Sequence, residues 1–472
     1  MCLSLVPPPV FPRKLVVFLN RILMMAGFVC LCIPVLAGPW LFGAWEMWWF
    51  WPLMMCLFLA AAFFATRLLI QARIQPYEPP HHDSPHVAAC FLMACLPFMA
   101  YALVRALMAE VWMDAERSFL LFLGPALIGI HVAFGLNKAL LKILYVLVVV
   151  NLALLGLYGV LNHLGNGSKM VMWLPGYPQY VCEVRATGSY FCPDHFAGIM
   201  ELALCLSLGL LLDRRARWHW KLPAALLSLL AVAGIVMSKS RGGGLTVLVI
   251  AAAALVWGFS QWETRKRWVF RGIAAAGALV ALIIFCIAGR TYIERFGRWF
   301  AWNRAKEKPL PGMISTITNN FQRTSRGRMF GGALRAWRTS PVFGIGPGMH
   351  QNLWPHFAAT ADGNRESGKW PSETNQGFWS DFVHSDWLQL LEEYGLLGLL
   401  LFLPPAFILF YLLLKARSTH YATALGSLLS FVCMAFHSLG DFNLQMPATG
   451  WLFGTILAIP IARSLTLYRK LQ

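Results

Sequence analysis

Charged residues are scarce in this chain. Only 13% of its 472 residues are Asp, Glu, Lys or Arg, whereas 58% are hydrophobic and the mean hydropathy is +0.59. A soluble domain carries about 25% charged residues. The deficit excludes an ordinary soluble globular protein and predicts a chain whose solvent is the lipid bilayer. Its 20 Trp and 33 Phe suit the aromatic belts at membrane surfaces.

The sequence also lacks the signatures of several functional classes. It has no zinc-finger spacing and no RNA-binding motif, so the net charge of +18 does not indicate nucleic-acid binding. Most Lys and Arg lie in short loops, where the positive-inside rule places them. The only histidine-rich tract, "HHDSPH" at residues 81–86, is predicted to be a solvated cytoplasmic loop and not a metal site. No metal or cofactor is expected, and no convincing internal repeat is found.

Cysteines lie mostly inside hydrophobic stretches, where a free thiol behaves as a small hydrophobe. Cys182 and Cys192 differ, because both lie in one polar loop. In an oxidising compartment they are able to form a disulfide. Two unpaired thiols are the equal alternative, and the sequence leaves the choice open.

Hydrophobic segments long enough to cross a bilayer recur along the chain. A span needs about 20 mostly apolar residues, and about twelve segments meet this condition. They are residues 17–37, 48–70, 87–108, 118–136, 141–161, 195–212, 222–238, 243–260, 271–289, 396–414, 421–438 and 447–465. The first has no cleavage site before it ends and is expected to be an uncleaved span. The concentration of Lys and Arg in alternate loops predicts that both termini are cytoplasmic.

These spans predict four regions. Residues 1–161 form N-terminal membrane helices, and residues 162–289 form membrane helices joined by outside loops that carry arginines. Residues 290–395 form a large outside loop that ends at the start of a helix, and residues 396–472 form the C-terminal membrane helices. Within the large loop, "RGRMFGGALRAWRTSP" predicts a helix ended by Pro341. Its expected apolar face consists of Phe330, Ala333, Leu334 and Trp337.

Three outside segments carry arginines that the positive-inside rule does not explain. Arg185 lies in "EVRATGSYFCPDHFAG", just before the sixth span. Arg241 lies in "SKSRGGG", where three glycines open the next helix with bare backbone N–H groups, so an anion site is predicted. A snorkelling arginine beside flexible glycines is the alternative. Arg328, with Arg326 nearby, lies at the head of the loop helix. Arginines suit a phosphate or pyrophosphate ligand.

The stretch "FVHSDWLQLLEEYGLLG" at residues 382–398 places a histidine at the mouth of a span. Ser385 is a good N-cap and Asp386 suits the first helical turn. His384 then lies near the positive end of the helix dipole, which favours a neutral imidazole that takes a proton from a hydroxyl. A simple cap beside an interfacial histidine is the alternative. Glu392 and Glu393 are expected at the membrane interface.

Several motifs in order carry a family resemblance. "HSDWLQLLEEYGLLG" resembles the signature of the O-antigen ligase/polymerase superfamily of bacterial inner-membrane glycosyltransferases. Further matching pieces are "RATGSYFCPDHFAG", "SKSRGGG", "RGRMFGGALRAWRTSPVFGIGPG" and "HSLGDFNLQMPA". The resemblance spans roughly residues 183–450. Asp194 departs from it, because the family often has Asn there.

The resemblance implies an all-α membrane fold of the GT-C glycosyltransferase class, with the active site in the periplasm. It implies that Arg185, Arg241 and Arg328 hold the pyrophosphate and that His384 is the general base, supported by Ser385, Asp386 and Glu393. The implied donor is a glycan on undecaprenyl pyrophosphate, and the implied acceptor is a glycan or lipid A–core. The implied transfer inverts configuration and uses no metal.

Two alternatives remain. Ligases and polymerases of this superfamily share the donor and differ in the acceptor, and the sequence does not separate them. A transporter or flippase without catalysis would place charged residues deep inside its spans and would show repeated halves. Glu201 inside the sixth span is the main charge of that kind.

Overall fold

The computed structural model describes residues 13–74, 84–166, 185–213, 215–261, 290, 293–298, 300–358, 380–418 and 420–468. These residues form helices and connecting turns, with no strand among them. The helices are α1 Arg13–Ala37, α2 Met47–Ile74, α3 Ser84–Leu107, α4 Trp112–Ile130, α5 Lys138–Asn166, α6 Pro193–Leu212, α7 Trp218–Ser238, α8 Arg241–Gln261, α9 Trp302–Ala305, α10 Leu310–Arg323, α11 Ser325–Thr339, α12 His350–Phe357, α13 Asp386–Ala416, α14 Tyr421–His437 and α15 Pro447–Tyr468.

Seven of these helices are long and apolar enough to cross a membrane: α1, α2, α4, α5, α6, α7 and α13. Shorter apolar segments lie in α3, α8 and α14. The prediction of an all-α membrane protein is therefore confirmed. The ninth predicted span, residues 271–289, lies outside the described residues, and the count of twelve and the GT-C class stay predictions. The division into four regions also remains untested.

The sixth predicted span forms the centre of the bundle. Helix α6 packs against α7, α8 and α14, and most of its side chains are buried. Other spans expose large apolar side chains on their outer surfaces, including Leu69, Leu248 and Phe407. Such exposure suits lipid contact, because lipid tails do not penalise apolar surface as water does. The central position of α6 fixes the place of Asp194 at its first turn.

Helix α13 is interrupted where its sequence changes from polar to apolar. Gly395 has φ of 68° and ψ of −173°, which are not helical values. A loop enters this gap: the amides of residues 345–346 donate to the carbonyls of residues 392–393 at 2.9 and 3.0 Å. The amides of residues 396–397 donate to the carbonyls of residues 341–342 at 2.9 and 3.0 Å. The loop thus satisfies backbone groups that the break in the helix would leave unpaired.

Replacing Gly395 with alanine is expected to destabilise the protein by about 1–3 kcal/mol through backbone strain, because this backbone region is nearly exclusive to glycine. The new Cβ would also lie 2.3 Å from the Val342 carbonyl oxygen. Thermal unfolding of the purified protein in detergent measures the loss. Gly129→Ala is the matched control, because a Cβ at that helical position meets no atom within 4 Å. Equal melting temperatures for the two variants would contradict the role of Gly395.

The predicted loop helix is present as α11, but its buried face differs from the expected one. The structure buries Gly327, Met329, Gly332, Ala333 and Ala336, and it leaves Leu334 exposed. The reason is close packing: a Cβ on Gly332 would lie 2.5 Å from the Trp354 ring of α12. Small residues allow this close approach. The positions of the large apolar side chains therefore did not identify the face of α11 that packs.

Candidate active site

A cavity of about 600 Å³ lies where four helices begin. Its wall includes residues at or just before the first turns of α6, α8, α11 and α13. The N-terminus of a helix carries a partial positive charge, so four of them favour an anion. The lining residues are Arg185, Asp194, Arg241, Arg295, Arg323, Thr324, Ser325, Arg326, Arg328, Met329, Ser380, Asp381, Phe382, His384 and Phe442.

The cavity contains the four residues that the sequence analysis selected for chemistry: Arg185, Arg241, Arg328 and His384. They come from segments spread over 200 positions, and the fold brings them to one wall. The roles assigned to them remain proposals. Ser385, Asp386 and Glu393, selected as supporting residues, lie outside the lining.

Arg185 is held by two contacts. Its Nε donates to the Ser238 carbonyl at 2.7 Å, and its Nη2 donates to Asp194 Oδ1 at 2.6 Å. Asp194, where the resembled family often has Asn, therefore orients this guanidinium with a charge-assisted bond. Cys182 lies outside the described residues, so its pairing with Cys192 stays untested.

Two of the three glycines after Arg241 have amides that are bonded at the start of α8 and are not bare as the sequence suggested. Ser240 caps α8: its Oγ accepts from the Gly243 amide at 3.1 Å, and its carbonyl accepts from the Gly244 amide at 2.9 Å. A Cβ on Gly242 would lie 2.5 Å from His437 Nε2. Gly242 therefore allows α8 to pack closely against α14, and the amides of Gly243 and Gly244 are bonded to Ser240.

Arg326 is the arginine that organises the cavity wall. Its Nη2 lies 3.0 Å from Asp441 Oδ2 and 3.6 Å from Asp194 Oδ2, and its Nη1 donates to the Gly440 carbonyl. Burial alone would raise the pKa of Asp441, but the Arg326 guanidinium holds that pKa well below its usual range. Asp441 is therefore an anion at neutral pH.

His384 sits beside this anion in an unusual backbone conformation. Its φ is 59°, in the left-handed region that disfavours residues with a Cβ. Its Nδ1 lies 3.6 Å from Asp441 Oδ1, and its ring meets the Phe442 ring edge-on at 4.4 Å between centroids. The side chain is 29% exposed. An acidic neighbour at Nδ1 favours a proton there, which leaves Nε2 as the basic nitrogen.

Ser385 and Asp386 fix the start of α13 from behind the cavity. Ser385 Oγ accepts from the Leu388 amide at 3.3 Å, as expected of an N-cap. Asp386 Oδ2 accepts from Ser438 Oγ at 2.7 Å, and the Asp386 amide donates to the Asp441 carbonyl at 3.1 Å. Both residues thus tie His384 to the turn that carries Asp441.

Glu392 and Glu393 are buried within the protein, each with 2% exposure. Glu393 accepts from the Gly348 amide at 2.9 Å and from Gln389 Nε2 at 3.0 Å. Glu392 lies 2.8 Å from His350 Nδ1. The same loop that enters the break at Gly395 covers both carboxylates, so protein shields them from solvent. Their expected depth at the membrane interface stays a prediction.

His437 and Glu201 form a second buried pair, which lies next to Asp441. His437 Nδ1 lies 2.8 Å from Glu201 Oε1, and its Nε2 lies 3.9 Å from Asp441 Oδ2. Both side chains are fully buried. Glu201, which the transporter alternative used, therefore has a partner in α14 and connects through it to the cavity wall.

Within the described ranges, no group of three or more His, Cys, Asp or Glu is placed to hold a metal ion. Residues 81–83 of the histidine-rich tract lie outside these ranges.

Sequence reasoning did not select Arg295, Arg323, Arg326 or Asp441 as site residues. Arg295 Nη1 donates to the Lys239 carbonyl at 2.6 Å, which holds it beside the turn before α8. The signal for Asp441 was present, because it lies within the quoted motif "HSLGDFNLQMPA". Nothing in the motif indicated that this aspartate contacts both Arg326 and His384.

Comparison with known proteins adds one finding. Residues 226–403 match a protein family described as O-antigen ligase. The matched segment contains Arg241, Arg328 and His384, and it leaves Arg185 and Asp441 outside. No curated protein matches the chain.

Proposed function

We propose that this protein is a membrane glycan-processing enzyme that transfers a glycan from undecaprenyl pyrophosphate to an acceptor hydroxyl. The match of residues 226–403 to the family described as O-antigen ligase supports this proposal. One observation carries the proposal: six arginines and a histidine beside a buried anion line one cavity. A pyrophosphate needs the arginines, and an attacking hydroxyl needs the histidine.

The arginines act on the leaving group. Arg185, Arg241 and Arg328 hold the pyrophosphate, whose negative charge grows as its bond to the sugar breaks. Positive groups fixed in advance stabilise this charge without reorganising at the moment of reaction. The helix N-termini around the cavity add to the same field. No acid is then required to protonate the leaving phosphate.

His384 acts on the acceptor. Its Nε2 takes the proton from the acceptor hydroxyl while the oxygen attacks the anomeric carbon. A new C–O bond forms, the bond from the anomeric carbon to the phosphate oxygen breaks, and its electron pair leaves with the pyrophosphate. Attack from the opposite face inverts the configuration. Asp441 stabilises the imidazolium that results, as the acid does in a catalytic triad.

The acceptor class distinguishes a ligase from a polymerase, and we favour the ligase, with a lipid A–core acceptor at the periplasmic face of the inner membrane. Reconstitution with a labelled undecaprenyl-pyrophosphate glycan and either acceptor tests this assignment. A single transfer to lipid A–core supports a ligase, and a ladder of longer glycans supports a polymerase. Absence of product with either acceptor would favour a transporter.

Replacing Arg241 or Arg328 with alanine is expected to lower the transfer rate by about 10²–10³-fold, because each removes a preorganised positive group from the leaving phosphate. The rate of labelled-glycan transfer under saturating acceptor measures the loss. Arg328→Lys should retain part of the activity, because it keeps the charge but not the planar fork. Arg338→Ala is the matched control, since Arg338 is exposed on the same helix and does not line the cavity. Equal rates for Arg328→Ala and the control would remove Arg328 from the proposed site.

A further inference from the structure

A network of three hydrogen-bonded polar side chains, separate from the contacts of Asp441, ends at the same cavity. Glu392 Oε2 lies 2.8 Å from His350 Nδ1, and His350 Nε2 lies 3.1 Å from Ser380 Oγ. All three side chains belong to buried residues, with exposures of 2%, 2% and 3%. They come from α13, from α12 and from the segment before α13, and the mechanism above uses none of them. Buried polar groups in such a network are costly unless each is satisfied.

The direction of the hydrogen bonds follows from the last member. Ser380 Oγ also lies 2.8 Å from the Phe382 carbonyl and donates to it. Because the serine proton is used there, His350 Nε2 donates to Ser380 Oγ. One further proton then lies between His350 Nδ1 and Glu392. The hydrogen-bond network therefore runs from the buried carboxylate of Glu392 in α13 to the backbone carbonyl of Phe382, two residues before His384.

The network holds residues 380–384, and this segment includes a strained backbone conformation that needs support from its surroundings. His384 adopts a φ of 59°, and such a conformation persists where the surroundings determine it from several sides. Ser385 and Asp386 secure the C-terminal side through the turn at Ser438 and Asp441. On the N-terminal side, Phe382 stacks on Phe442 at 4.7 Å, and Phe442 contacts the His384 ring at 4.4 Å.

We propose that Ser380, His350 and Glu392 form a relay of positioning residues that fixes residues 380–384 and thereby sets the orientation of the His384 imidazole at the cavity. This inference rests on the proposed function for its catalytic consequence but not for its structural one. The proposed role of the relay is exerted through His384 and not through direct contact with a substrate.

The kinetic test compares Ser380→Ala with Ser430→Ala. Ser430 is a matched buried serine whose Oγ donates to the Gly426 carbonyl of its own helix. Ser380→Ala is expected to lower kcat on the order of 10–10²-fold with an unchanged KM for the donor, because a misplaced base slows the chemical step without weakening binding. In a His384→Ala background the same change should cost nothing more, since both substitutions act through one group. A raised KM, or losses that multiply in the double variant, would overturn the proposal.

A second measurement does not depend on turnover. Diethyl pyrocarbonate modifies exposed imidazoles, and mass spectrometry reports the labelling rate of His384 in the full-length protein. Ser380→Ala and Glu392→Gln should each raise this rate several-fold, because residues 380–384 are released, whereas Ser430→Ala should leave it unchanged. Unchanged labelling in both relay variants overturns the relay even if the enzyme is active. Raised labelling in a protein without transferase activity refutes only the proposed function.

Discussion

Turnover is expected to fall by about 10²–10⁴-fold when His384 is replaced by alanine, because the acceptor hydroxyl then loses its proton acceptor. The affinity for the donor should change little, since the arginines that hold the pyrophosphate remain. Single-turnover transfer of the labelled glycan measures the chemical step directly. His219→Ala is the control, because His219 is exposed at the start of α7 and does not line the cavity. A turnover near wild type for His384→Ala would refute the assignment of the base.

Asp441→Asn tests how much of the catalytic role of His384 depends on the negative charge beside its imidazole. Asparagine keeps the shape of the side chain but removes the negative charge beside His384 Nδ1. The imidazolium formed during reaction then loses its stabilising partner, so turnover should fall by less than in His384→Ala. Adding Asp441→Asn to His384→Ala should have a smaller effect on rate than it has in the wild type, because the charge acts through the histidine.

Replacing Arg326 with alanine is expected to give the largest loss of stability, about 3–5 kcal/mol, because it leaves the buried carboxylate of Asp441 without its main partner. Asp194 loses a neighbour at 3.6 Å in the same change. Thermal unfolding in detergent, followed by tryptophan fluorescence, measures the effect. Arg338→Ala should melt as the wild type does. Asp441→Asn in the Arg326→Ala background should recover part of the loss, since it removes the unpaired charge.

The ion pair between Arg326 and Asp441 also predicts that the stability of the protein depends on pH. Asp441 has a depressed pKa in the folded protein, so its contribution is present above the unfolded value of about 4. Stability from this group is lost as the pH falls from there towards the folded pKa. The pair is therefore intact at neutral pH, and Arg326→Ala should abolish this acid-dependent component.

Sequence patterns predicted much of the fold because membrane helices are determined locally. Each span needs a run of apolar residues, and Gly395 marked the change from polar to apolar within α13. The break there depends on a loop about 50 positions earlier in the chain, which no local pattern shows. The same loop buries Glu392 and Glu393, and no local pattern shows that burial.

In the candidate site, too, short motifs identified some residues, whereas the contacts between them depend on the fold. Arg185, Arg241, Arg328 and His384 follow from short motifs and lie together. Arg326 and Arg328 are two positions apart, and only the fold distinguishes the one that lies against Asp441. That partner is 115 residues away in the chain. The supporting roles of Ser385 and Asp386 likewise depend on Ser438 and Asp441, which belong to a different turn.

The break at Gly395 also determines how much of α13 is available to cross the bilayer. Residues 396–416 alone would extend about 31 Å at 1.5 Å per residue, close to the roughly 30 Å thickness of a hydrocarbon core. The nine residues before the break extend about 14 Å, and His384 lies just beyond the end farthest from the break. A lipid-anchored donor would then react some way above the hydrocarbon boundary. Because only the pyrophosphate separates the reacting anomeric carbon from the lipid, the first isoprenoid units would have to leave the hydrocarbon to reach the site.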